Sequence, residues 1–315
     1  MTNTKDKLVK ELEGIYGGRD LAASLSEGRD FIHLITPASD IRNVSFSKGN
    51  GPQNIENPID TSFNSFYNEV ILPQIESGKL GDGIKTKFDD RKVRLDDSGV
   101  VPVYTLVNEV FRLKVGPTDY MRFKEDSKRS DEENLALMLR GVQENGKPWK
   151  YFAKPLGVAV LPVTKDGHVY IGERLGNVDR PGLLCSVAGQ MTFNEDVNKI
   201  SALADAQKEL KEEFGIEMKL DSENTRFAGI SAFPKLGDAD VVLAVKTDVP
   251  DAYFDSGDWM KKVSEREHKS LVPIKRKDDA EILLNEGRLQ NGSRKHDIIY
   301  STRLGLEYLA REVLR

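Results

Sequence analysis

The chain of 315 residues holds a single cysteine, Cys185, four histidines and two tryptophans. One cysteine closes no internal disulfide and cannot build a cysteine-based zinc site, and four histidines leave little room for a histidine-rich one. No apolar run approaches the roughly 18–20 residues that a membrane span requires, which predicts no membrane segment. The opening stretch MTNTKDKLVKELEGIYGG is charged throughout and has no apolar core, so no secretory signal is expected. Together these absences predict a reducing, cytoplasmic setting. An excess of one charge is missing too. The chain has 46 basic and 51 acidic side chains, with 22 against 24 up to residue 150 and 24 against 27 beyond it. Without a broad basic field, no nucleic-acid polymer is expected as a partner, and a polyanion would need a local device such as a divalent cation.

The length predicts about two domains, and 38% hydrophobic with 31% charged residues is ordinary for a globular chain. Leu8, Leu12 and Ile15 share one face of an expected helix that Gly17 and Gly18 end. Residues 35–60 are rich in Asn, Ser, Gly and Pro and read as irregular loop, followed by a helical pattern over 62–75 and a turn-rich patch, GKLGDG, at 78–83. Alternation over 101–115 predicts strands closed by a turn at Gly116-Pro117. Ser130 and Glu133 form a capping box ahead of a helix over 131–144. The break at Asn145-Gly-Lys-Pro148 places a domain boundary near 147–156, giving an N-terminal α+β domain over 1–147 and a second domain over 148–315.

The second part reads as strands over 157–163 and 168–174 around a hairpin turn at Lys165-Asp-Gly167, then a short strand over 183–187. A helix ending at Phe214 before Gly215, strands over 227–232 and 240–247, and helices over 280–287 and 304–314 follow. This is a mixed α/β or α+β pattern, with helices flanking a sheet.

The chemistry-bearing segment is GQMTFNE (189–195) followed by KELKEEFGI (208–216). On a helix, Glu209, Glu212 and Glu213 stand at i, i+3 and i+4 and are expected on one face, with Leu203, Ala206 and Leu210 as the core stripe opposite. Three carboxylates repel one another, and a hard divalent cation would reverse that sign. Such a triplet alone is more often a solvated helix face. What sets this one apart is the strand ending in Gly189, where a carbonyl could approach a metal unobstructed, and the closing Gly-Ile.

With Gly189, Glu195, Glu209, Leu210, Glu212, Glu213, Gly215 and Ile216, the segment resembles the Nudix family, whose box reads G-x5-E-x7-R-E-U-x-E-E-x-G-U with U a bulky aliphatic residue. The resemblance covers about residues 151–315. It implies a Nudix-type mixed β-sheet flanked by helices, and hydrolysis of a diphosphate bond in a nucleoside diphosphate linked to another moiety, such as a nucleotide sugar or ADP-ribose. It also implies Mg²⁺ or Mn²⁺ held by Glu209, Glu212, Glu213 and the Gly189 carbonyl, with Glu209, Glu212, Lys208 and Glu267 as candidate catalytic groups. Glu265 and His268 share the late loop SEREHKS with Glu267. The partner implied is a small diphosphate substrate, and dimers are frequent in the family. Two departures stand out. Lys208 occupies the arginine position and lacks its bidentate fork, and twelve residues separate Glu195 from Lys208 where the box has seven. Five extra residues within one helix would turn Glu195 by about 140° from the triplet, so the insertion belongs in the loop or lengthens the helix start.

Other residues have two readings each. Arg174 and Arg180 are candidates for substrate phosphates or plain surface arginines, and Trp149 and Tyr151 for base stacking or interdomain packing. Pro234 falls roughly where ADP-ribose-specific members carry a proline. The stretch MRFKEDSKR (121–129) could touch a phosphate or form a charged strand edge. Cys185 is a small buried hydrophobe, or the nucleophile-region cysteine of an isopentenyl diphosphate isomerase, which shares the fold. The rival from another class is a Nudix domain that has lost catalysis and only binds a nucleotide or a protein.

Overall fold

The computed structural model describes residues 32–35, 43–49, 91–96, 104–107, 110–145, 149–176, 181–233, 236–288 and 295–314. The helices expected at 8–15 and 62–75, the turn at 78–83, Arg180 and Pro234 lie outside these residues. The architecture is mixed α/β, with two mixed sheets flanked by helices.

The smaller sheet is built from β2 (Asn43–Lys48), β3 (Arg91–Leu95), β4 (Tyr104–Val107) and β5 (Val110–Asp119), where β5 pairs parallel with β2 and antiparallel with β3 and β4. Two expectations change here. Residues 43–48, read as loop, form β2, because Phe46 buries its ring in the core. The turn expected at Gly116-Pro117 lies inside β5, where both residues face β3. A side chain at Gly116 would come within 2.5 Å of the Arg94 guanidinium, whose Nη1 donates to the Pro117 carbonyl at 2.9 Å. The residues after it continue as α1 (Tyr120–Lys128), with Asp119 accepting from the Arg122 amide, so the charged stretch is helix and not a strand edge. The capping box of α2 (Asp131–Asn145) is present, the Ser130 amide donating to Glu133 at 2.7 Å and the Glu133 amide to Ser130 Oγ at 3.3 Å.

The larger sheet runs β1 (Ile32–Ile35), β10 (Thr225–Phe233), β11 (Asp238–Lys246), β6 (Leu156–Val163), β7 (Val169–Arg174) and β12 (His268–Ile274). The β6–β11 pair is parallel and its neighbours are antiparallel. β6 and β7 pair only at Val163 and Val169, beside the turn that Gly167 makes at φ 85°, and diverge from there. The divergence is filled by the single strand expected over 183–187. It breaks at Ser186, whose amide donates to Thr302 Oγ1 at 2.7 Å, into β8 (Leu184–Cys185) along β7 and β9 (Val187–Gln190) along β6.

One face of this sheet carries α3 (Ala202–Phe214). The other carries α5 (Lys277–Glu286) and α6 (Tyr300–Glu312), while the short α4 (Asp251–Asp255) brings Phe254 onto Tyr170 and Phe214. The smaller sheet joins the α3 side. Val93, Leu95, Leu113 and Val115 share a core with Val158, Val187 and Leu210, and β3 bonds to the second part through Val93 N to Met191 O at 2.9 Å and Leu95 N to Lys154 O at 3.1 Å. Trp149 is buried against Gly237, and Tyr151 pairs with Glu144.

Candidate active site

α3 starts where Ser201 accepts from the Ala204 amide at 3.2 Å and stops at Gly215, whose φ of 66° is the left-handed conformation that glycine adopts without strain. The insertion lies ahead of it, in a loop containing a short 3₁₀ turn over Val197–Lys199. The Phe193 amide in this loop donates to the Arg91 carbonyl at 3.0 Å, and Arg91 lies over the Phe193 ring and pairs with the exposed Glu195. Glu195 is therefore turned to β3 and solvent.

The three glutamates do not share one environment. Glu209 packs on Gly189, where an added Cβ would stand 2.3 Å from its Cδ and Oε1. Gly189 thus supplies space for a carboxylate, while its carbonyl lies on the β6 side, 3.0 Å from where a Cβ on Gly157 would be. Glu212 is the more open carboxylate, and Lys208 joins the two, with Nζ 3.3 Å from Glu209 and 3.1 Å from Glu212. Burial, reinforced by Glu213 and Glu212 against the opposing pull of Lys208, pushes the Glu209 carboxyl up to about 7. Burial draws the Lys208 ammonium down, but the two carboxylates outweigh it and leave it above the ordinary lysine range.

Glu213 departs from the expected helix face. It lies three residues after Leu210 and seven after Ala206, which puts it on the buried stripe and not opposite it. Its side chain is 2% exposed. Oε1 accepts from the Ala188 amide on β9 at 3.0 Å, and Oε2 is 2.7 Å from His268 Nε2 on β12. Glu213 therefore spans the gap where β6 and β7 diverge. Burial, then the nearby Glu267, raises its pKa, with the Ala188 amide and Arg174 opposing. Burial and then Arg174 lower His268 to about 4, which keeps it neutral at pH 7.

Of the residues expected in a late loop, Glu265 and Glu267 lie in one, just ahead of β12, and His268 does not. His268 opens β12, an edge strand in which Pro273 is tolerated and hides the alternation of Val272 and Ile274. Glu267 pairs with Arg174 at 3.1 Å, and the Ser264 and Glu265 amides both donate to the Glu212 carbonyl at 3.0 Å. Arg174 is turned inward, its Nη1 3.6 Å from Cys185 Sγ. Burial pushes the Cys185 thiol up to about 12, against the thiolate form that reactive cysteines use.

Sequence reasoning passed over Asp205. It stands one turn before Glu209 and accepts from the Thr192 amide at 3.4 Å, tying the box loop to α3. The i−4 spacing was its available signal.

Among the described residues, no three His, Cys, Asp or Glu side chains already form a metal cage. The oxygen-only donors Glu209 and Glu212 suit a hard ion, and burial, with Glu213 and Glu212 nearby, raises the Glu209 carboxyl although Lys208 opposes it. Glu213 could contribute only by sharing an oxygen already engaged by Ala188 or His268. A cavity of about 310 Å³ opens at the other end of α3, lined by Phe46, Asn198, Ser201 and Phe227 among others, and none of these carboxylates lines it. No helix among the described residues is long and apolar enough to cross a membrane.

No protein-family model matches the chain, and no curated protein does. Among solved structures, it is similar to the MutT protein from Methanosarcina mazei Go1, at 19% identity over 50% of this chain and 94% of that one, with a TM-score of 0.33. It is also similar to a Deinococcus radiodurans protein, at 19% identity over 30% of this chain and 57% of that one, with a TM-score of 0.23. A third is the NUDIX domain of Shewanella oneidensis NrtR complexed with ADP ribose, at 12% identity over 42% of this chain and 80% of that one, with a TM-score of 0.28.

Proposed function

We propose that the chain is a Nudix-type hydrolase that uses Mg²⁺ or Mn²⁺ to cleave a diphosphate bond in a nucleoside diphosphate linked to another moiety. The observation that carries this reading is the Glu209 carboxylate seated on Gly189 beside Glu212, with Lys208 the shared counter-charge. Glu209 and Glu212 would hold the cation. When bound, it would supply neutralisation of the phosphate oxygens and activation of a water.

The chain's own groups divide the remaining work. Glu209, fixed against the strand, sets where the ion would sit. Glu212, more open to solvent than Glu209, is placed to accept a proton from water. Lys208 holds both carboxylates and offers its ammonium to a phosphate oxygen, as a point charge and not a fork. Arg174, drawn to Glu267 and Cys185, would serve the substrate only by leaving them. The smaller sheet bonds to the box loop at Met191 and Phe193 and so supports the site from outside.

A screen of nucleotide sugars, ADP-ribose, dinucleoside polyphosphates and nucleoside triphosphates with Mg²⁺ and Mn²⁺, run beside Glu209→Gln, tests this. Metal-dependent cleavage that the variant loses is the expected result. Nucleotide binding without turnover in both proteins would instead favour the binding-module reading.

A further inference from the structure

The cavity of about 310 Å³ at the start of α3 owes two of its walls to parts of the chain that the Nudix-type box does not contain. Val44 and Phe46 line it from β2 of the smaller sheet, and Val197 lines it from the 3₁₀ turn in the inserted loop. The first turn of α3, with Phe227 of β10 and Leu243 of β11, supplies more of the apolar lining. The cavity therefore forms where the smaller sheet meets the insertion.

Among the described residues no charged side chain lines this cavity, so a phosphate or carboxylate would be buried there without a counter-charge, which is strongly unfavourable. Most of its polar side chains are already engaged. Asn198 Nδ2 donates to Asp196 at 3.0 Å, Ser201 Oγ accepts from the Ala204 amide at 3.2 Å, and Thr225 Oγ1 donates to Asn224 at 2.9 Å. Ser45 differs: it lines the cavity, and its hydroxyl is buried with no hydrogen-bond partner. Folded interiors pair such groups, so one spare hydroxyl in an apolar lining matches a ligand that brings one polar atom. The volume exceeds the ~150 Å³ that suffices for benzene in an apolar core, which leaves room for a ring with a short polar substituent.

We propose that this cavity is a second ligand site, separate from the carboxylates of α3, for a small neutral ring compound whose single hydroxyl-like group bonds to Ser45. Phe46 and Phe227 supply aromatic surface for the ring. The site needs neither a metal nor turnover, so it stands or falls apart from the hydrolase reading. Its occupant packs against Ala202 and Leu203, just behind the Ser201 cap, and so braces the start of the helix that carries Glu209 about two turns later.

Benzyl alcohol, toluene and benzyl phosphate, each added to the full chain without metal, test the site by saturation-transfer NMR and thermal unfolding. Benzyl alcohol and toluene should both receive saturation from the protein and raise its melting temperature, and benzyl phosphate should do neither. Ser45→Ala should weaken benzyl alcohol about fivefold, the scale of one hydrogen bond, and leave toluene unchanged. Val197→Phe, placed in a loop that can accommodate a larger ring, should fill the cavity and abolish binding of both. No transfer to any probe from the folded wild-type chain would overturn the proposal. So would benzyl phosphate binding as well as benzyl alcohol, or undiminished benzyl alcohol binding in a folded Val197→Phe. An unchanged benzyl alcohol affinity in Ser45→Ala would overturn the role given to its hydroxyl.

Discussion

The Glu209 carboxylate occupies the volume that a side chain on Gly189 would need, its Oε1 only 2.3 Å from the position of an added Cβ. Gly189 has no left-handed φ, so alanine fits its backbone and the conflict falls wholly on the carboxylate. The carboxylate ends a flexible side chain and can swing away, so Gly189→Ala should cost little stability, on the order of 1 kcal/mol. On the hydrolase reading, metal-dependent activity should fall at least about tenfold, because the displaced oxygen would be the one that sets the ion's place. Thermal unfolding and Mn²⁺ titration of the one variant check both halves. A large fall in melting temperature with intact metal binding would show that the glycine serves packing instead.

Glu209 also predicts how the site responds to pH. Its carboxyl is raised to about 7, so near neutrality without metal a large fraction of the chains carry a proton there. A cation must displace that proton, and Mn²⁺ affinity should therefore rise by about tenfold per pH unit below 7 and level off above it. Stability runs the other way. The folded state holds this proton more tightly than the unfolded one, so between about 4.5 and 7 the group's contribution falls as pH rises. Its full size would be about 3 kcal/mol at most. Glu209→Gln should flatten both dependences, and isothermal titration from pH 5.5 to 8 shows whether it does.

The carboxylate positions were legible in the sequence; their division of labour was not. Spacing along α3 brings Glu209, Glu212 and Glu213 near one another, but Glu213 lies on the same stripe as Ala206 and Leu210, and only the sheet facing it shows why a charge is tolerated there. The partner that makes it tolerable comes from His268, 55 residues later in a strand masked by Lys269, Ser270 and Pro273. The hairpin of β6 and β7 follows from alternation and a turn glycine. The break of β8 from β9 does not, since it depends on Thr302 reaching Ser186 across 116 residues. In the smaller sheet, β2 was hidden in a polar stretch because Phe46 is the one buried side chain among residues 44–48.

Cys185 separates hydrolase from isomerase chemistry. The thiol is buried, donates to the Ser186 carbonyl at 2.8 Å and is raised to about 12 by burial, which favours a packing role. Cys185→Ala should keep metal-dependent hydrolysis within about twofold of wild type and lower stability by about 1–2 kcal/mol through lost packing. The native thiol should resist a thiol-reactive dye until denaturant is added, as a colorimetric thiol assay will show. Fast labelling of the native chain, or loss of turnover in the alanine variant, would return the cysteine to the chemistry.

Glu195 offers the sharpest contrast with the motif that its segment resembles. The insertion before α3 leaves it exposed and paired with Arg91 on β3, away from the seat that Glu209 takes on Gly189. Exposed pairs of this kind contribute about 0–1 kcal/mol, so Glu195→Ala should unfold within a few degrees of wild type. Its kcat should stay within about threefold, whereas Glu209→Gln should lose at least a hundredfold, the usual scale for removing a positioned acid–base or charge-stabilising group. Asp205 should fall between them, because it ties the Thr192 amide to α3 and so holds the loop ahead of the helix. Steady-state kinetics of the three variants against the best substrate of the screen order them. If Glu195→Ala proves as damaging as Glu209→Gln, the loop must close further over α3 during turnover, bringing Glu195 to the ion and away from Arg91.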